Sequence, residues 1–295
     1  MRSIKVSIFG ADGYTCQIPR IKQGMQNLGH TLTEKSPDLI YANDPTGYNN
    51  AINLKKKFPN SFLIFNFLDV PWHVPNIEKQ TKLLVEHFLI KADAITAISH
   101  KVQKDLGKFL SKKIYVIYNP IKDVFHDKKI KKDNTFIYVG RANDPVKRIS
   151  LVKESLSKKN NCVNEIIICG SENPGFGKYL GIIPDIELNK LYNSSKFVLL
   201  PSRSEGIGLS MIEGMVCGAI PITCLDNLTA KEFSPPEFIC EPNVKSFLSK
   251  IKELENEYEE KRKIALKIGE KYKIQFDKNN IAKNIVNIFS SEKMK

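Results

Sequence analysis

No stretch of the 295-residue sequence approaches the roughly 18 consecutive apolar residues of a membrane-spanning helix, so no integral membrane segment is expected. The opening "MRSIKVSIFG" is a short alternating run ending in glycine, and it predicts no secretion signal. Cys16, Cys162, Cys169, Cys217, Cys224 and Cys240 are scattered, with no C-x-x-C pair among them. That spacing argues against a zinc site and for buried free thiols in a reducing cytoplasm. There is no Asp-x-Asp pair to hold a divalent cation and no obvious acid/base pair. Acidic residues are also short, 32 against 45 Lys and Arg, which leaves a formal charge of +13. A surplus of that size suggests an anionic partner such as a phosphate-bearing substrate, acidic lipid headgroups or nucleic acid, or else a plain solubility surplus.

What is present is a rhythm. Short β-type runs, "IKVSIF" (4–9), "DLIYA" (38–42), "FLIFNF" (62–67), "DAITAI" (93–98) and "IYVIY" (114–118), alternate with segments whose apolar residues recur at helical spacing. Such alternation predicts an α/β fold with a parallel, doubly wound sheet. Residues 119–134, "NPIKDVFHDKKIKKDN", interrupt the rhythm with proline and clustered charge and read as a linker. The alternation then restarts through "TFIYVG", "EIIICG", "KFVLLP" and "IPIT". The length suits two domains, each with its own core. Charged, uncapped helices are expected over about 243–273 and 278–291.

Ligands of such sheets gather where strand ends lead into helix N-termini. "SRSEGIGLSMIEGM" (202–215) lies at one such place. With no side chains at Gly206 and Gly208, a ligand can approach a helix start whose N–H groups and dipole favour a phosphate or diphosphate. Glu205 precedes that helix, either reaching past the phosphates or complementing the dipole. Glu213 lies about a turn and a half inside, among Met211, Ile212, Met215 and Val216. Buried there, its carboxylate needs hydrogen-bond donors, which a vicinal diol such as a ribose supplies; otherwise it pairs with a lysine at the surface.

The longer segment "ELNKLYNSSKFVLLPSRSEGIGLSMIEGMVCGAIPI" (187–222) resembles the donor-binding region of the group 1, family 4-like GT-B glycosyltransferases. This large retaining family includes sucrose synthase and the phosphatidylinositol mannosyltransferases. Its pattern, E-x7-E followed by A/C-G-x-P-V/I, is matched by Glu205, Glu213, Cys217, Gly218 and Pro221. "FIYVGRANDPVKRISLV" (136–152) resembles the family's strand-Gly-Arg loop, which implies that Arg141 and Lys147 hold the donor diphosphate, with Arg148 a neighbouring candidate. Fixed cations there would stabilise charge on the leaving phosphate in place of a metal ion. "CGSENPG" (169–175) resembles the family's Gly-rich turn, and "YLGIIPDIELNKLY" (179–192) the segment that holds the nucleobase, with Ile183 as backbone contact; a plain loop with Asp185 as N-cap is the alternative.

The resemblance implies a GT-B architecture, two Rossmann-like domains facing across a cleft. Residues 1–125 would form the acceptor side, 126–275 the nucleotide-sugar side, and 276–295 a C-terminal helix packing back on the first domain. It implies Glu205, Arg141, Lys147 and Asp69 as catalytic residues. Gly13, Gly140, Arg141, Lys147, Gly170, Ile183, Glu205, Gly206, Ile207, Gly208, Leu209 and Glu213 would bind the donor. Metal and resident cofactor are expected to be absent. The implied reaction is retaining transfer of a sugar from a nucleotide sugar to a glycan, glycolipid or other cell-envelope acceptor. It would take place in the cytoplasm or on the inner face of an anionic membrane.

The sequence departs from the family in its first half. Gly10 and Gly13 are separated where many relatives have adjacent glycines, and "FNFLDVPWH" puts Leu68 at the common histidine position, with Asp69 following and His73 off register. Two alternatives stay open: a DNA-base glucosyltransferase, favoured only by the charge, and a non-catalytic nucleotide-sugar-binding subunit.

Overall fold

A computed structural model of the chain describes residues 2–11, 17–70, 75–159 and 165–294. The chain divides into two compact units, one running up to Pro120 and resuming at Gln275, the other spanning Ile121–Ile274.

The first unit contains β1 (Lys5–Phe9), α1 (Gln17–Asn27), β2 (Thr31–Leu32), β3 (Leu39–Ala42), α2 (Pro45–Lys57), β4 (Phe62–Phe67), α3 (Ile77–His87), β5 (Ala94–Ala97), α4 (His100–Leu106) and β6 (Ile114–Val116). Its strands pair in parallel in the order β2-β1-β3-β4-β5-β6. Every residue of β3 and β5 is buried, the continuous apolar run that a parallel strand covered on both faces demands. Val6, Ile8, Leu39, Tyr41 and Ile64 meet Ile18, Ile21 and Met25 of α1 on one face. On the other, Tyr48 of α2 stacks on Phe65 with ring centroids 4.4 Å apart.

The second unit contains β7 (Asp133–Val139), α5 (Ile149–Lys158), β8 (Ile166–Cys169), β9 (Lys178–Gly181), α6 (Asp185–Ser194), β10 (Ser195–Leu200), α7 (Leu209–Val216), β11 (Ile220–Cys224), α8 (Leu228–Phe233), β12 (Ile239–Cys240), α9 (Val244–Asn256) and α10 (Tyr258–Gln275). Its parallel strands follow the order β12-β11-β10-β7-β8-β9. Counted within the unit this is the 3-2-1-4-5-6 order of Rossmann sheets read from the other edge. The last helix, α11 (Lys278–Lys293), returns to the first unit, where Ile281, Ile285, Ile288 and Phe289 complete the core against α1 and the sheet.

Three expectations are corrected. Residues 121–132 are not a solvated linker: Phe125 is fully buried with its ring edge against Tyr192, and the Asn193 side chain accepts from the Lys128 N–H at 2.7 Å. The buried Ile121, Phe125 and Lys132 anchor a segment whose other charged residues are partly or fully exposed. The stretch from 243 is two helices that break at Glu257. Nor are the ends uncapped, since Asn243 accepts from the Ser246 N–H and Asp277 from those of Asn279 and Asn280. Short β2, β9, β12 and helix α8 were not anticipated, because runs this brief carry too little periodicity to read.

Candidate active site

In the second sheet β7 lies between β8 and β10. The chain proceeds outward through β8 and β9 and then resumes on the opposite side at β10. The loops leaving β7 and β10 therefore diverge, and the crevice between them is the place where open α/β sheets take ligands. The candidate residues of this unit fall around it. Gly140 and Arg141 follow β7, Lys147 precedes α5, Gly170 follows β8, and Glu205 to Leu209 connect β10 to α7.

The central contact is between Lys147 and Glu205, 58 positions apart in sequence. The ammonium donates to the carboxylate at 2.7 Å, and the two side chains are only 16% and 13% exposed. Each loop is built to present its partner. Asp144 accepts from the Val146 N–H at 3.0 Å and caps the turn Pro145–Lys147, and the Arg203 N–H donates to Val146 O at 2.8 Å, stitching the two loops together. Thr229 holds the Glu205 carbonyl from below. Burial, then the Glu205 carboxylate, pushes the Tyr138 phenol far above its ordinary pKa, so it stays protonated beneath the site.

The two arginines differ. Arg141 is exposed at 67% of its side chain and reaches Asp144 at 2.8 Å, an arrangement with little to hold it in place. Arg148 is fixed by a bond to Pro201 O and a bidentate pair with Asp226 at 2.7 and 2.8 Å. It braces the β10 loop.

Backbone approach is close where glycine was expected to matter. A Cβ on Gly170 would lie 2.0 Å from Gly140 O, so only glycine lets the loops after β7 and β8 touch. Gly208, the N-cap of α7, has φ +72°, and no side chain caps this helix start. Gly206 and Leu209 are partly exposed beside it, while Ile207 is buried and anchors the turn. Ile183 lies between β9 and α6, directly before Pro184. Asp185 is the first residue of α6 rather than its cap, and pairs with Lys122.

Glu213 is buried, 9% exposed, which excludes the surface pairing left open above. Its Oε2 accepts from the Tyr192 hydroxyl at 3.4 Å. Below it, the buried Lys132 ammonium donates to Tyr192 O and Asn193 O at 3.0 Å and Cys217 O at 2.9 Å, joining the C-terminal ends of α6 and α7. Burial, with the Arg262 guanidinium nearby, lowers the Lys132 pKa to about 8. The Cys217 thiol, also buried, is pushed up to about 12. Cys169, Cys217, Cys224 and Cys240 are all buried and free.

Asp69 belongs to the first unit, beyond the end of β4, and its carboxylate accepts from Lys101 at 2.7 Å. Lys101 in turn lies 3.4 Å from Asp105. In the same unit Asp44 caps α2 through the Thr46 N–H and accepts from the Ala11 N–H, both at 2.9 Å. Gly13 and His73 lie outside the described residues.

Sequence reasoning missed Tyr192, Lys132, Lys101 and Asp226. For Tyr192 a signal existed, a polar tip at the end of an apolar helix stripe just before "SSKFVLL". Lys132 was one of a charge run, and nothing marks a single member of such a run for burial.

The family model for group 1 glycosyl transferases matches residues 121–271, just over half of the chain. A 56-residue segment is 41% identical to O-antigen chain mannosyltransferase B of Escherichia coli, covering 19% of this chain and 14% of that protein. The crystal structure of Anabaena HepE in complex with UDP and glucose superposes with a TM-score of 0.75 at 16% identity, covering 98% of this chain and 100% of the other. Sucrose-phosphate synthase from Thermosynechococcus elongatus gives 0.79 at 14% identity, covering 98% and 99%. These structures establish the α/β GT-B fold, and the matched residues, which contain the Lys147–Glu205 contact and the helix that carries Glu213, make the chain a member of the group 1 glycosyltransferase family.

Proposed function

We propose that the protein is a retaining hexosyltransferase of family 4 that moves a sugar from a nucleotide-sugar donor to a glycan, glycolipid or other cell-envelope acceptor without a metal ion. The observation that carries this reading is the Lys147–Glu205 pair in the crevice between β7 and β10. A diphosphate arriving at Gly206–Leu209 competes for the Lys147 ammonium and frees the Glu205 carboxylate to accept from the donor sugar's hydroxyls. Lys147, with Arg141 drawn in from its exposed position, then stabilises the charge that develops on the leaving phosphate. Because Lys147 and Arg141 supply that charge, the reading needs no divalent ion.

Glu213 takes the ribose diol and Ile183 the base edge. The acceptor oxygen bonds to the anomeric carbon on the face from which the phosphate departs, and a phosphate oxygen takes the acceptor's proton. Configuration is thereby retained. Support for a nucleotide sugar comes from HepE, whose crystal structures include complexes with UDP and with UDP-glucose. Support for a mannosyl group and a cell-envelope acceptor comes from the name of the Escherichia coli relative.

On the acceptor side, the reading assigns the acceptor hydroxyl to Asp69, whose carboxylate is held by Lys101. Leu83 and Ile90 of the first unit are exposed at 45% and 52%, with exposed Lys79, Lys82 and Lys91 on the same stretch of chain. Large apolar side chains among lysines suit the surface of an anionic bilayer that carries the acceptor. Among the described residues no helix is long and apolar enough to cross a membrane.

A thermal-shift screen of UDP, GDP, ADP and TDP sugars tests the donor reading. One nucleotide should raise the unfolding midpoint, by an increment that follows its concentration over Kd. No stabilisation by any of them at millimolar concentration would exclude it.

A further inference from the structure

Tyr192 is a fully buried phenol that the reaction does not use. Its hydroxyl lies within 3.4 Å of Glu213 Oε2, although the two residues stand on different helices, 21 positions apart. Phe125 packs edge-on to its ring at 5.6 Å. The Lys132 ammonium binds the main chain of Tyr192 and Asn193 on α6 and of Cys217 at the end of α7. Phenol and carboxylate are thus carried by two helix ends that one cation ties together.

We infer that Tyr192 is a positioning residue for donor recognition: it holds one oxygen of the Glu213 carboxylate, and Lys132 keeps the two helices in the register that this contact needs, so that Glu213 meets the ribose diol of a nucleotide in a single orientation.

The inference rests on the reading of Glu213 as the ribose-binding residue. Its chemistry is general. A carboxylate buried on an apolar helix rotates among several rotamers unless a neighbour fixes it, and the bidentate grip on a vicinal diol tolerates little rotation. Phe would fill the volume of Tyr192 without donating, so the fold survives the substitution while the orientation is lost. Burial, and then the Glu213 charge, keep the phenol protonated at every working pH, so it acts as a donor throughout. A long 3.4 Å contact implies a moderate effect.

The experiment uses the full chain, isothermal titration with UDP, GDP and ADP, and the 2′,3′-dideoxy form of whichever binds. Tyr192→Phe is expected to weaken the ribonucleotide by about threefold to tenfold. Glu213→Gln should weaken it further, and the double variant should bind no more weakly than Glu213→Gln, because the phenol acts through the carboxylate. With the dideoxy nucleotide the penalty of Tyr192→Phe should vanish, and in turnover the loss should fall on the donor KM rather than on kcat. Equal weakening of both nucleotides would overturn the inference, since mere loss of packing predicts it. So would unchanged binding by Tyr192→Phe beside weakened binding by Glu213→Gln, which leaves the ribose reading standing. If Glu213→Gln itself binds the ribonucleotide as tightly as the unaltered chain, the ribose reading fails and the inference with it.

Discussion

Lys147 and Glu205 each satisfy the other in the described structure, at 2.7 Å and mostly out of water. That mutual satisfaction makes their chemistry testable apart from their stability. Removing one partner leaves the other's charge partly desolvated and unpaired, whereas removing both leaves no such charge. Lys147→Ala and Glu205→Ala are each expected to lower kcat/KM by about 10²–10³-fold, the usual cost of losing one electrostatic contact to a transition state. The double variant should recover part of the unfolding midpoint that either single variant loses, and recover none of the activity. Steady-state transfer assays with calorimetry of the three variants check this, and full turnover in either single variant removes the role assigned to it.

Among the elements, α6 and α7 are the pair that matters, because α7 carries Glu213 behind the loop that holds Glu205 while α6 carries Tyr192, and Lys132 joins their ends. Helix C-termini attract cations, so three carbonyls focused on one ammonium are an apt place for a lysine that is otherwise costly to bury. Its pKa falls from 10.5 to about 8 on folding. Below pH 8 both folded and unfolded chains carry the proton, and the contribution is flat. Between pH 8 and 10.5 the unfolded chain holds a proton that the folded chain has released, so stability rises with pH through that window. The gain is on the order of 3 kcal/mol for a shift of this size. Urea unfolding of the unaltered chain and of Lys132→Met at pH 7.5 and at about pH 10 should show the difference growing in favour of the unaltered chain. A difference independent of pH contradicts the assignment.

For the whole molecule, the charge of +13 is the property no single site accounts for. Each lysine near an acidic bilayer contributes about 1 kcal/mol, and salt screens that attraction. The protein should therefore float with vesicles rich in acidic lipid and stay behind with neutral ones, and Lys79→Glu, Lys82→Glu and Lys91→Glu together should release it. Flotation unaffected by salt or by these substitutions would refute the membrane reading, and retention by duplex DNA in the same salt range would favour nucleic acid instead. The second crossing of the chain is also a property of the whole: α11, last in sequence, completes the core of the first unit with Ile281, Ile285 and Phe289.

Much of this was legible in the residues. Parallel strands buried on both faces must be short apolar runs, so "FLIFNF" and "KFVLLP" announced themselves, and the helix after "SRSEGIG" began where its glycines placed it. The E-x7-E spacing also survives translation into space, because eight positions along one loop and helix put Glu205 at the helix mouth and Glu213 on its buried side. Local pattern is what a sequence encodes directly, since periodicity and turn chemistry act between near neighbours. Contacts between distant segments leave no such trace. That Lys147 meets Glu205, that Asp69 meets Lys101, that Tyr192 reaches Glu213, and that one lysine from "KIKKDN" is buried between two helix ends all follow from strand order and loop length. Those were settled by strand order within each sheet, β7 between β8 and β10 in one and β4 beside β5 in the other, because a parallel sheet brings together strand ends that the chain keeps far apart.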